Sequence, residues 1–528
     1  MTDHDVVVIG AGFAGLHLLH SLRGRGLRTH VFERGSDVGG TWFWNRYPGA
    51  RCDTPSLFYA YSFDPGLEAE WRWEERYPSQ PELLAYLQHV ADRFDLRRDI
   101  SLGTTVESAE FDEATDTWRV RTGDGAEVTA RYVVTAVGCL SAAQDPRFPG
   151  LDGFAGRVLH TGHWPAEEVD VSGLRVGVIG TGSSGIQAIP VLAEQAGHLT
   201  VFQRTANFSL PARNRPLEPG EHESERRDTP DLWEQARRSP AGALWNAGDE
   251  ALVGADPGAV RAELDRRWEF GGAGFMTAYT DIAVDEKAND VVADYVRDRI
   301  QDIVDDPETA RVLSPHDHPI GTKRICVDTD YYTTYNRANV ALVDLRESPI
   351  ERFTADGIVV GGREVPLDVV VLATGFDAIT GPLDRIAITG PGGSLRDKWS
   401  AGPRAYLGLA SAGFPNLFMV TGPGSPSVLS NMVVSIEQHV DWIVACIDHL
   451  VADGVSRFAP TVEAEDAWVA QVNEIADMTL MPRAASWYMG ANVPGKTRIF
   501  MPFAGGVGAY REICDGVAAD GYRGFARD

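Results

Sequence analysis

Cysteine is scarce in the 528-residue sequence and badly placed for pairing: Cys52, Cys139, Cys326, Cys446 and Cys514 are odd in number, scattered, and never at CxxC or CxxxxC spacing. That excludes a disulfide framework and a two-cysteine relay of the kind disulfide reductases need, and points to reduced thiols. Long apolar runs are missing too. Nothing approaches the roughly 20 residues that cross a bilayer. The chain enters an apolar strand at residues 5–9, which leaves no room for the basic and apolar regions of a signal peptide, so a cytoplasmic location is expected. Positive charge is the third shortage: 48 Lys and Arg against 75 Asp and Glu, a net charge of −27. Nucleic acid and anionic membranes are therefore poor partners. A phosphate site on such a background has to be made locally positive by particular arginines or lysines.

What is present is an ordinary globular composition, 44% hydrophobic and 23% charged, in a chain long enough for two to four domains. A β-branched strand at 5–9, a glycine turn, an apolar helical run at 16–22 and a strand at 28–32 ending on Glu33 make a βαβ unit. The pattern returns with a strand at 174–179, glycines at 180–185, an apolar helix and a strand at 199–202. A second nucleotide domain is the simplest reading. Residues 216–315 are charged and helical in pattern, as an insertion would be. A strand at 367–372 runs into ATGF at 373–376, and Ile436, Val440, Ile443, Val444, Ile447, Leu450 and Val451 keep the spacing of one core-packing amphipathic helix.

The first glycine motif is GAGFAG, residues 10–15. Gly10 serves the tight turn, Gly12 the close approach of backbone to pyrophosphate, and Gly15 the packing of helix on strand. Beyond it the helix N-terminus offers free N–H groups to phosphate. Glu33, about 20 residues on, is placed to accept bonds from ribose hydroxyls. The second motif, GTGSSG at 180–185, holds Gly180, Gly182 and Gly185, but the next strand ends in Gln203 and Arg204. A carboxylate there would repel a 2′-phosphate, whereas a guanidinium grips one with two charge-assisted bonds. The sequence thus argues for FAD at the first site and NADPH at the second, the pairing used by flavin enzymes that take hydride from a nicotinamide.

Between the two motifs stands FAGRVLHTGHWP, residues 154–165. Through Phe154, Gly156, His160, Trp164 and Pro165 it resembles the FxGxxxHxxxWP signature of type I Baeyer–Villiger monooxygenases. Relatives that oxygenate amines or sulfides usually carry Tyr or Phe at the position of Trp164. GGTWFWNRYPGARCD at 39–53 is similar to the same family through Gly40, Trp42, Tyr47, Pro48, Gly49 and Asp53. GTKR at 321–324, ATGFD at 373–377 and SWYMGANVPGK at 486–496 extend the likeness nearly end to end, nearest to the branch that oxidises aryl, steroid and other large ketones. The resemblance implies an α/β fold of two Rossmann-like dinucleotide-binding domains with a helical insertion. FAD would be held by residues 1–145 and 373–528 and NADPH by 146–214 and 321–372, with the insertion at 215–320.

It also implies a reaction: NADPH reduces FAD, oxygen gives a C4a-peroxyflavin, and this attacks a ketone carbonyl to yield an ester or lactone, with sulfoxidation as a side activity. Arg324 would lie over the flavin, paired with Asp53, and these two are the expected catalytic residues. Gly10, Gly12, Phe13, Gly15, Glu33, Gly40, Thr41, Trp42 and Asp53 form the expected FAD side. Gly180, Thr181, Gly182, Ser183, Ser184, Gly185, Gln187, Arg204, Thr205 and Lys323 form the NADPH side, with Lys323 joining Arg204 on the 2′-phosphate, and Arg324 is a further cofactor-binding residue over the flavin. Trp487 would sit on a mobile loop over the nicotinamide. The chemistry independently favours arginine at the centre. A peroxide anion and then a substrate oxyanion need a positive charge that never loses its proton, worth roughly 4 kcal/mol at about 4 Å and an effective dielectric near 20. A buried guanidinium in turn needs a carboxylate partner.

His160 reads as structural, ordering the linker between domains. Trp164 and Pro165 read as packing and turn residues, Trp42, Trp44 and Tyr47 as core around the flavin, and residues 427–432 as a wall of the substrate pocket. Cys139 departs from the family, whose close members have Gln there, so substrate range cannot be copied, and a thiol near a peroxide is open to oxidation. An N- or S-oxygenating flavin monooxygenase and a flavin reductase or oxidase are the rival readings. A monomer or weak homo-oligomer acting on a small-molecule ketone, expected to be a large cyclic or aryl one, and on O2, without a metal, completes the expectation.

Overall fold

Two sheets, one mixed and one all parallel, each with its own hydrophobic core, carry the two glycine turns in the computed structural model, which describes residues 2–229 and 231–528. The first sheet is built around strand His4–Ile9, whose residues Val6, Val7 and Val8 are fully buried. Such continuous burial marks a strand covered on both faces. It pairs in parallel with Thr29–Phe32 on one side and Glu127–Thr135 on the other, Ile9 lying opposite both Phe32 and Thr135. An antiparallel meander through Thr117–Thr122 and Val106–Asp112 widens the sheet. The distant C-terminal part completes it: Leu417–Met419 lies parallel to Glu127–Thr135, and Ala387–Gly390 lies parallel to Val106–Asp112.

The second sheet has five strands, all parallel, in the order Val340–Asp344, His198–Gln203, Arg175–Ile179, Val369–Leu372, Arg157–His160. Its central strand ends on Ile179 opposite Phe202 and Leu372, as Ile9 ends the first. Each turn therefore leaves its sheet at the carboxyl end of a central strand, where neighbouring strands diverge and a crevice opens. The two turns are built alike. Gly10 and Gly180 take φ near +107° and +108°, and a Cβ on either would stand 2.5 Å from a backbone oxygen, that of Ala136 or Ala373. Only glycine fits.

Helices Glu221–Asp228, Leu232–Arg238, Pro257–Phe270, Glu286–Ile303 and Pro307–Leu313 occupy the segment read as an insertion. The expected amphipathic helix runs over Met432–Asp453 and seats Ile436, Val440, Ile443 and Ile447 in the core beneath the first turn, beside Leu16 and Leu18. Val451, included in that spacing, instead faces outward at 44% exposure. Where the chain crosses between sheets, its two passages lie antiparallel: Ala143 bridges Phe376, Asp377 N–H donates to the Ala142 carbonyl and Gln144 N–H to that of Gly375. Among the described residues no helix is long and apolar enough to cross a membrane.

Candidate active site between the two glycine turns

A cavity of about 1100 Å3 runs between the sheets, and both turns open onto it. Helix Phe13–Gly24 begins after Gly12 and helix Ser183–Gln195 after Gly182, and neither start is capped by a side chain. The first amides of both helices are thus left for an anion. Glu33 is buried, its two carboxylate oxygens accepting from Ala11 N–H at 2.7 Å and Gly35 N–H at 2.6 Å, which fixes it at the edge of the first turn. Phe13, Gly40, Thr41 and Trp42 line the same side, and the buried Trp42 indole N–H has no partner within the protein. An uncapped helix end and an orphaned donor on one wall are what a bound dinucleotide would satisfy.

On the opposite side Thr181 donates through Oγ1 to the Thr205 carbonyl at 3.0 Å, joining the second turn to the strand end that carries Arg204. Arg204 is exposed, lines the cavity and, among the described residues, has no carboxylate partner. Lys323 approaches it closely enough to feel its charge. Burial, opposed by Asp317 and assisted by Arg204, pulls the Lys323 ammonium below its ordinary pKa. Two cations held together without a shared anion, in a chain of net charge −27, fit a phosphate. Ser183, Ser184 and Gln187 complete this wall.

Arg324 and Asp53 meet across 271 residues of sequence. Nη2 lies 2.8 and 2.7 Å from the two carboxylate oxygens and Nε lies 3.0 Å from one of them, while Nη1 donates to the Val428 carbonyl at 2.5 Å. This is a bidentate fork whose remaining donor is anchored, so the guanidinium is held in one plane. About a third of the Arg324 side chain stays open to the cavity. Burial acts against its charge, but the Asp53 carboxylate outweighs it and holds the pKa above the usual arginine value. Tyr488 stands beside the pair, its phenol pushed up to about 12 chiefly by burial, and Trp487 faces the cavity one residue earlier. Leu140, Val428 and Met432 give this end an apolar wall. Cys139 belongs to that wall too, and burial pushes its thiol up to about 11, so it is not a thiolate at neutral pH.

His160 lies at the crossing between sheets. Its Nδ1 accepts from Gly162 N–H at 2.9 Å, and Nε2 is 3.3 Å from Thr374 Oγ1. Burial and the neighbouring His163 lower its pKa, leaving a neutral ring that ties the signature segment to ATGF.

Comparison with known proteins places this geometry. Residues 7–217 match the family model described as pyridine nucleotide-disulphide oxidoreductase. Over 531 residues the chain is 44% identical to a Baeyer–Villiger monooxygenase of Pseudooceanicola batsensis, covering 100% of this chain and 96% of the relative. The solved structure of an oxidised steroid monooxygenase bound to NADP is 51% identical and superposes with a TM-score of 0.95 over 99% of both chains. The chain belongs to the Baeyer–Villiger monooxygenases. The family also reaches other chemistry, since a phenazine N-monooxygenase of Lysobacter antibioticus is 43% identical over 99% of this chain and 97% of its own length.

Seen as a Baeyer–Villiger fold, the cavity collects most of the expected residues but not all. Gly15 and Gly185 stand behind the turns rather than on the cavity: a Cβ there would lie 1.8 Å from the Gly10 oxygen and 2.2 Å from that of Gly180. They set helix against strand and have no surface for a cofactor. Two other features were not foreseen. Ser486 is buried on the cavity wall with an unpartnered hydroxyl, which nothing in its motif marks out from the other polar residues there. Tyr47, expected as core around the flavin, packs in the core of the second domain instead, for which its sequence context gave no sign.

Proposed function

We propose that this chain catalyses NADPH-dependent Baeyer–Villiger oxygenation: ketone, O2, NADPH and a proton give ester or lactone, NADP+ and water. It is a flavin-dependent monooxygenase with FAD along the turn at Gly10 and NADPH along the turn at Gly180. Bound FAD, reduced by NADPH, supplies the oxygen-activating chemistry. Glu33 accepts from an FAD ribose hydroxyl, and Arg204 with Lys323 holds the 2′-phosphate of NADPH. Arg324 supplies a permanent positive charge for the oxyanion that develops on the ketone oxygen when its carbonyl is attacked. Asp53 fixes the plane of that guanidinium and offsets the cost of burying it. The reading is carried by one observation above the rest, the bidentate Asp53–Arg324 pair facing a cavity that both uncapped turns share.

The apolar wall of Leu140, Val428 and Met432 suits a neutral apolar ketone, and the likeness to a steroid monooxygenase supports a large cyclic or aryl one. Residues 1–145 with 373–528 form the FAD domain and 146–214 with 321–372 the NADPH domain, in a cytoplasmic monomer or weak homo-oligomer.

The test is product analysis with the flavin-loaded protein, NADPH and O2, offered a panel of aryl and cyclic ketones, a thioether and an aromatic N-heterocycle. Ester or lactone formed in proportion to NADPH consumed is the expected result, with some sulfoxide. N-oxide without any ester would replace this reading with N-oxygenation. Hydrogen peroxide alone would make the chain an oxidase.

A further inference from the structure

Asp53 sits on a segment with almost no regular structure. From Asn45 to Asp53 there is no helix, and the one bridge joins Arg51 to Ser79. Yet its carboxylate has to meet Arg324 within hydrogen-bond distance. What fixes it is the second domain. Trp42, just before the segment, and Cys52, near its end, lie in the core under the first turn. Tyr47 and Ala50 between them are buried in the core of the second sheet, with Val178, Ile186 and Ile189. The chain therefore leaves its own domain, seats two side chains in the other, and returns.

The seat is helix Ser183–Gln195, and Gln187 makes it. Its Oε1 accepts from the Tyr47 hydroxyl at 2.8 Å, and its Nε2 donates to the Arg51 carbonyl at 3.0 Å. Gly49, at φ +78°, lies so close over this residue that a Cβ would stand 2.4 Å from the Gln187 backbone carbonyl oxygen. Both hydrogen-bonding ends of one side chain are thus used on the segment that carries Asp53. Arg324 is fastened to the same body: two residues on, Cys326 is buried in the second-sheet core, its sulfur 3.4 Å from Ser183 Oγ on the same helix.

We propose that Gln187 is a positioning residue that clamps the Asp53 segment to the NADPH-side domain, so that the Asp53 carboxylate is presented to Arg324 at the place where the Val428 carbonyl also holds the guanidinium. The assignment of the two sides rests on the proposed function; the clamp itself does not. It differs from the sequence expectation that Gln187 is a nucleotide ligand.

The experiment compares wild type with Gln187→Met, which keeps length and helix propensity but loses both bonds, with Tyr47→Phe, and with the double variant, all as holoenzyme. Hydrogen exchange of the peptide covering 46–53 should accelerate about tenfold in each single variant, as expected for one or two lost bonds, and no further in the double variant. The Kd for NADPH should stay within twofold while ester yield per NADPH falls severalfold and peroxide rises. Unchanged exchange over 46–53 would overturn the clamp. So would a Kd for NADPH raised tenfold with ester yield intact, which would make Gln187 a nucleotide ligand. If Gln187→Met does not fold, Tyr47→Phe tests the same contact by the same exchange measurement. A wild type that oxygenates no ketone would defeat the proposed function while the exchange rates still decide this one.

Discussion

Arg324 has to keep its charge beside a carboxylate, a phenol and an apolar cavity wall, and a guanidinium does so at any pH the fold survives. Removing it separates binding from chemistry. Arg324→Ala is expected to retain flavin and to be reduced by NADPH, yet to lose ester formation by about 100-fold or more, the scale seen when a preorganised oxyanion donor is deleted. Product yield against NADPH consumption checks this, and normal ester output would remove Arg324 from the centre. Arg204 makes the opposite kind of contribution. Arg204→Ala should raise the KM for NADPH by about tenfold or more and leave that for NADH nearly unchanged, because only NADPH carries the phosphate it grips. Equal effects on both nucleotides would contradict the assignment. The two arginines also differ in how they could be read. Arg204 was legible from local chemistry, standing at a strand end where NAD-binding chains place a carboxylate. The Asp53–Arg324 pair spans 271 residues, and no spacing or periodicity connects such a pair. Only the family likeness brought it together ahead of the fold.

Among the elements, helix Met432–Asp453 shows how far a pattern reaches. Its apolar spacing foretold a core-facing helix, but spacing says nothing of the polar residues that share the buried face. Glu437 is one of them, 3% exposed, accepting from Ser62 N–H at 2.7 Å. Burial pushes its carboxyl up to about 7, against the ordinary 4.5, although the Ser62 bonds and Arg237 pull the other way and Asp441 adds to the rise. A carboxyl that binds its proton more tightly when folded contributes stability in full below about 4.5, and that contribution is lost as pH rises through about 7. Glu437→Gln keeps the shape and the Ser62 contacts without a charge to form. It is therefore expected to flatten the fall in Tm between pH 6 and 8 and to melt a few degrees above wild type at pH 8. Calorimetry at the two pH values measures the difference, and parallel wild-type and variant curves would show that Glu437 does not titrate in this window. The segment 45–53 was illegible for the opposite reason. It has no period to read, and its conformation is imposed by a helix more than 130 residues later.

At the scale of the whole molecule, the first sheet is closed by chain that arrives last. Leu417–Met419 is three residues long, too short for any sequence pattern to mark, yet it pairs with Glu127–Thr135, and helix Met432–Asp453 fills the core beneath the first glycine turn. Both glycine motifs, Asp53, Arg204 and Arg324 lie before residue 385. If those motifs were sufficient, a fragment of residues 1–385 would bind FAD. The fold predicts otherwise: without the later chain, Val133 and Val134 lose one of their two strand partners and Leu16, Leu18 and Leu19 lose the helix that covers them. Exposing several fully buried side chains costs roughly 1.5–3 kcal/mol each, together comparable to the entire stability of a domain. The fragment is expected to be insoluble or colourless after purification. Co-expression with residues 386–528 should restore a soluble complex with a flavin spectrum, since the missing strands pair through backbone hydrogen bonds that need no covalent link. A soluble yellow fragment 1–385 would mean that the two nucleotide turns fold without the C-terminal quarter of the chain. The contribution of the late strand and helix to the FAD site would then be packing alone.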